Sequence, residues 1–94
     1  MPHLIPISQL QVELSTLIIS AANLNHLKPE DIKPDQSLMR DGLGLDSIDI
    51  LEIVVNLEKK YGFKLRNDAS GREALSNLRS LTEYTHIKLA ELHS

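Results

Sequence analysis

Ser47 stands between Asp46 and Asp49, just after Gly42-Leu43-Gly44 and at the head of an apolar-rich run from Ile50 to Tyr61. That order places one hydroxyl at the mouth of a helix. The glycines let the chain turn sharply into it, through backbone conformations that a β-carbon disfavours. Either Asp46 or Ser47 then caps it, since a short oxygen-bearing side chain accepts a bond from a free N–H of the first turn. Asp49 adds negative charge near the positive end of the helix dipole. A hydroxyl held there is exposed at a place electrostatically suited to phosphate.

Other chemistries fail on the same residues. Asp35 to Asp46 has the length of a calcium loop, but Arg40 occupies the sixth position, where the EF-hand turn needs glycine. His3, His26, His86 and His93 are scattered without a close pair at helical ligand spacing, so no metal site is expected. Gly42-Leu43-Gly44 follows no convincing strand and lacks the rest of a dinucleotide or P-loop fingerprint. A Ser-His-Asp hydrolase needs a strand-to-helix elbow and a larger fold. No catalytic residues are assigned.

The helix expected over residues 46–61 has two apolar stripes at 100° per residue. Ile50, Ile53, Val54, Leu57 and Tyr61 follow the spacing of a face packed into a core. Ile48, Leu51 and Val55 lie on a different side, bordered by Glu52 and Lys59 on one flank and Glu58 on the other. Two readings of this second stripe stay open. It widens the core face of a helix buried on most sides, or it is an exposed docking patch rimmed by acids and starting next to Ser47.

The segment Gly44-Leu45-Asp46-Ser47-Ile48-Asp49, followed by Leu51, Glu52, Val55, Leu57 and Glu58, resembles the attachment motif and recognition helix of the acyl carrier proteins and related phosphopantetheine-binding carriers. The resemblance is specific from about Asp41 to Leu65. It implies that Ser47 receives 4'-phosphopantetheine from coenzyme A and that the thiol of this arm carries acyl groups for fatty-acid, polyketide or related biosynthesis. Asp46 is then the acid preceding the modified serine. Ile48, Asp49, Leu51, Glu52, Val55 and Glu58 become contact positions for a phosphopantetheinyl transferase and for acyl-loading, condensing and modifying enzymes. Lys59 and Lys60 stand where many fatty-acid carriers have acids, and Gly71-Arg72-Glu73-Ala74-Leu75 with Arg79 is also more basic. The latter run resembles carriers of specialised pathways, such as those for aryl polyene pigments.

The rest of the chain fits a small helical scaffold. Its 94 residues imply one domain, 1–94, and with Tyr61, Tyr84 and Phe63 as the only aromatics the core must be aliphatic. There is no cysteine, so any thiol must come from an attached group. Residues 30–58 hold eight acids and two bases, a balance of −6, against +3 for residues 59–94. An acidic middle argues against nucleic-acid binding, which needs Lys and Arg against phosphate.

Ser8 to Leu24 reads as an amphipathic helix carrying Leu10, Leu14, Leu17, Ile18 and Ala21, with Ser8 and Gln11 at capping-box spacing. Its apolar run has no basic region ahead of it and is interrupted by Gln9, Gln11 and Glu13, so neither a signal peptide nor a membrane span is expected, and cytoplasmic residence follows. Asn23 to Leu45 is a long connection that Leu27, Ile32, Leu38, Met39 and Leu43 should anchor. Gly62 ends the second helix and Phe63 and Leu65 anchor the next turn. A short helix is expected within Ser70 to Leu78. Ser80 and Glu83 open a final helix to about Leu92, with Leu81, Tyr84, Ile87 and Leu92 inward. The expected architecture is an all-α four-helix bundle, three main helices and one short one, acting as a monomeric, non-catalytic carrier. The alternative is an unmodified helical interaction module in which Ser47 is only a cap.

Overall fold

The computed structural model describes residues 5–39, 42–65 and 68–92. Helix α1 spans Ile7–Ala21, α2 Ser47–Tyr61, α3 Ala69–Ala74 and α4 Leu78–Leu92, with one 3-10 turn at Pro29–Asp31. This is the all-α bundle expected, three long helices and one short. The only β-type pairing among the described residues is an isolated antiparallel bridge between Ser37 and Asn77. None of the described helices is long and apolar enough to cross a membrane.

α1 buries Leu10, Leu14, Leu17 and Ile18, a stripe at i, i+4, i+7 and i+8, against α2 and α4. It starts before the expected Ser8 cap. Pro6, extended at φ −55° and ψ 142°, is the capping residue, and its carbonyl accepts from the Leu10 N–H at 2.9 Å. Proline is preset for that φ and has no N–H to leave unpaired. Ile5, just before it, packs on the cluster that contains Leu10, at the spacing of a hydrophobic staple. Ser8 is thereby drawn into the first turn. The helix also stops short of Leu24, because Asn23 turns left-handed at φ 56° and the Leu24 N–H reaches back to the Ile19 carbonyl at 2.9 Å.

Ile32, Leu38 and Leu45 bury the long connection in the core, and Leu43 packs on it. Leu27 is half-buried, while Met39 is 44% exposed and is not an anchor. The connection is also tied to the start of α4. The Leu38 N–H donates to the Ser76 carbonyl at 3.1 Å and the Arg79 N–H to the Pro34 carbonyl at 2.9 Å, while the Arg79 side chain pairs with Asp35 at 2.6 Å.

α3 begins one residue before the expected Ser70 and ends at Ala74, with Asp68 Oδ1 accepting from the Gly71 N–H at 3.1 Å. α4 begins two residues before the expected Ser80 cap. Asn77 takes that role, its Oδ1 accepting from the Ser80 N–H at 2.8 Å. The inward face of α4 is Leu78, Leu81, Thr82, Thr85 and Leu89, with Tyr84 partly buried, whereas Ile87 and Leu92 are more than half exposed. Thr82 can lie inward because its hydroxyl donates to the Leu78 carbonyl at 2.7 Å.

Candidate functional site

The turn before α2 is built from backbone bonds that close on themselves. The N–H groups of Gly42 and Gly44 both donate to the Met39 carbonyl, at 3.0 and 2.8 Å, and the Leu45 N–H donates to the Leu38 carbonyl at 3.1 Å. Gly44 is left-handed at φ 77°. Gly42 serves differently. A β-carbon there would run into the Ser37 carbonyl, so glycine is needed for close approach.

The choice between two caps resolves to Asp46. Its Oδ1 accepts from the Asp49 N–H at 2.9 Å, while Asp49 Oδ2 accepts from the Asp46 N–H at 3.3 Å. Ser47 is the first residue of α2 and is exposed. Because neighbours supply the cap, its hydroxyl stays out of the helix's own bonding. The N–H groups of Ser47 and Ile48 are among those that a helix leaves without an internal partner, at its positive end.

Of the first stripe, Ile53 and Leu57 are fully buried and Ile50, Val54 and Tyr61 partly so. The second stripe lies outside the core: Ile48 is 69% exposed, Leu51 60% and Val55 38%. Of its two readings, the wide core face is therefore the one the structure disfavours. The acids around it divide. Asp49 is engaged in the cap. Glu58 Oε2 accepts from the Leu65 N–H at 2.9 Å and so ties down the turn after α2. The exposed Glu52 side chain has no partner among the described residues.

At the far end of α2, Gly62 caps in the left-handed conformation as expected, its N–H donating to the Glu58 carbonyl at 2.9 Å. The Tyr61 hydroxyl donates to Glu13 Oε1 at 2.9 Å, fixing α2 to α1. Burial, then this bond and the Glu13 charge, push the Tyr61 hydroxyl well above its ordinary pKa. Lys60 lies 3.9 Å from the same Glu13 oxygen and 5.6 Å from the centre of the Tyr61 ring. Of the two lysines, then, Lys59 is the one without a partner among the described residues.

Ser47 also borders a groove that sequence reasoning missed. It is lined by Ser47, Ile50, Leu51 and Val54 of α2 and by Leu65, Gly71, Arg72 and Leu75 from later in the chain, and holds about 390 Å³. Small-molecule sites begin at about 300 Å³. Arg72 is the one charged side chain among these residues. Arg72 is 25 residues from Ser47 in sequence, so no local pattern pairs the two.

Among the described residues no group of three His, Cys, Asp or Glu side chains could hold a metal ion. His3 and His93 lie outside the described residues, as do Arg40 of the rejected calcium loop and Asp41 at the edge of the attachment motif.

A family model described as "Phosphopantetheine attachment site" matches residues 9–85. Among curated proteins, the chain is similar to the acyl carrier protein of Chlamydia trachomatis serovar L2, with 40% identity over 42 residues, 45% of this chain and 53% of that protein. It is also similar to a probable acyl carrier protein of Streptomyces halstedii, with 43% identity over 53 residues, 56% of each chain. The matched stretch thus spans about half the length of these relatives.

Proposed function

The chain belongs to the phosphopantetheine attachment-site family of acyl carrier proteins, whose covalent cofactor is 4'-phosphopantetheine, and on that premise we propose that Ser47 is its attachment point. The observation that carries this reading is the exposed Ser47 side chain at the first position of α2, left free by the Asp46–Asp49 cap. The residues there fit the group: a hydroxyl to esterify, unpaired N–H groups at a positive helix end, and Arg72 on the adjoining groove. When bound, the arm supplies a thiol that holds acyl groups as thioesters, which a chain without cysteine cannot supply itself.

Ser47 contributes the attachment oxygen, and a phosphopantetheinyl transferase contributes the metal and the acid–base groups. The chain itself is a carrier and not a catalyst. Ile48, Leu51 and Val55 give partner enzymes an apolar contact whose exposure supports that role. Glu52 steers basic partner surfaces from a distance. Asp49 and Glu58 serve docking mainly through the backbone they hold, since their carboxylates are engaged within the chain. Its partners are acyl-loading, condensing and modifying enzymes of fatty-acid, polyketide or related biosynthesis, met as a monomer of one domain in the cytoplasm. Tandem mass spectrometry after transferase treatment tests the site: the added group maps to the peptide bearing Ser47, and mapping elsewhere refutes the assignment.

A further inference from the structure

Among the described residues Arg72 is the one cation that lines the groove with Ser47, and its exposed side chain forms no ion pair with any of them. Asp68, the carboxylate one helical turn before it, caps α3 instead, accepting from the Gly71 N–H and from the Ser70 hydroxyl at 2.8 Å. Glu73 is its sequence neighbour, and side chains one residue apart do not face each other on a helix. Among the described residues the rest of the groove wall is apolar apart from Ser47 itself. We propose that Arg72 is a positioning residue for the attached arm, holding the phosphodiester on Ser47 against the α3 side of the groove.

A phosphodiester on Ser47 is one ester bond from a side chain that borders the groove, and it carries one negative charge. A guanidinium offers a planar fork of donors that matches phosphate oxygens, and charge-assisted bonds of this kind are about twice as strong as neutral ones. An anionic group at the tip of the arm is a weaker claimant, since it is separated from Ser47 by the whole flexible chain. The consequence is direction: with its phosphate held on the α3 side, the arm leaves Ser47 along the groove and away from Ile48, which stays uncovered for a partner.

This inference rests on Ser47 being the attachment point, and the experiment separates the two. Parent, Arg72→Lys and Arg72→Gln chains are treated with coenzyme A and a transferase, loading is read by intact mass, and loaded chains are examined by phosphorus and nitrogen-15 NMR. The proposal expects the Arg72 Nε–H signal to move on loading. It also expects the phosphorus signal of Arg72→Gln to shift toward that of a phosphopantetheinylated serine peptide, with Arg72→Lys in between and the amide spectrum of the apo chains otherwise preserved. Loaded chains whose phosphorus signals coincide, with an Arg72 Nε–H that ignores loading, overturn the role of Arg72 alone. A folded parent that gains no mass overturns the Ser47 assignment and this inference with it.

Discussion

Asp46 and Asp49 cap α2 reciprocally, each carboxylate accepting from the other's backbone N–H, at 2.9 and 3.3 Å. The acid before the serine is therefore a structural device: it satisfies the helix end so that Ser47 need not. Replacing a cap of this kind by Ala costs about 1 kcal/mol, while Asn caps about as well as Asp. Urea unfolding should thus show Asp46→Ala destabilised by that amount and Asp46→Asn nearly unchanged. Equal stability of all three chains would show that the cap contributes nothing.

The two glycines before α2 should respond differently to Ala. At Gly44 the neighbourhood is open and only the left-handed φ of 77° opposes a β-carbon, a strain of about 1–2 kcal/mol. At Gly42 the β-carbon meets the Ser37 backbone, which cannot rotate aside as a side chain can. Gly42→Ala should be the more destabilising, and should also slow loading by displacing the turn that presents Ser47. The reverse order in denaturant midpoints would contradict this account of the turn.

Tyr61 links stability to alkaline pH. Its hydroxyl is held above the ordinary value of 10.0, chiefly by burial and then by Glu13. A raised folded-state pKa gives a contribution that is fully present below the unfolded value and fades as pH rises through the folded one. Stability measured from pH 8 upward should therefore fall above about pH 10 more steeply in the parent than in Tyr61→Phe. Parallel curves would mean that Tyr61 ionises alike in both states.

Of the acids around the exposed stripe, Glu52 is the one whose carboxylate has no partner among the described residues. Glu52→Lys should weaken binding to a partner enzyme more at low salt than at high, because the screening length falls from about 30 Å at 0.01 M to 3 Å at 1 M. Leu51→Ala, by contrast, removes contact area and should weaken binding similarly at both. A salt-independent loss for Glu52→Lys would rule out steering.

What was legible in the sequence were features carried by neighbours along the chain. The stripe from Leu10 to Ile18, the cap around Ser47 and the left-handed Gly62 all follow from spacing and residue type. Pro6 displaced Ser8 as the start of α1 because Ile5 found the core, a tertiary gain that a local capping pattern does not contain. Thr82 and Thr85 read as polar yet face inward, while Ile87 reads as core yet faces out, because the apolar face of α4 is set by what α1 and α3 place beside it. The Tyr61–Glu13 bond joins residues 48 apart in sequence, and Arg72 lines the groove beside Ser47 from a separate helix. The chemistry of the site was local, whereas the surface around it was made by the fold.

Attachment at Ser47 is tested by intact mass after incubation with coenzyme A, magnesium and a broad-specificity phosphopantetheinyl transferase, on the parent and on Ser47→Ala. Since Asp46 is the cap, Ser47→Ala should stay folded, within about 0.5 kcal/mol of the parent. The parent should gain one phosphopantetheinyl group and Ser47→Ala none. A folded parent that stays unmodified beside a control carrier that is loaded, or a Ser47→Ala chain that still gains the group, would contradict it.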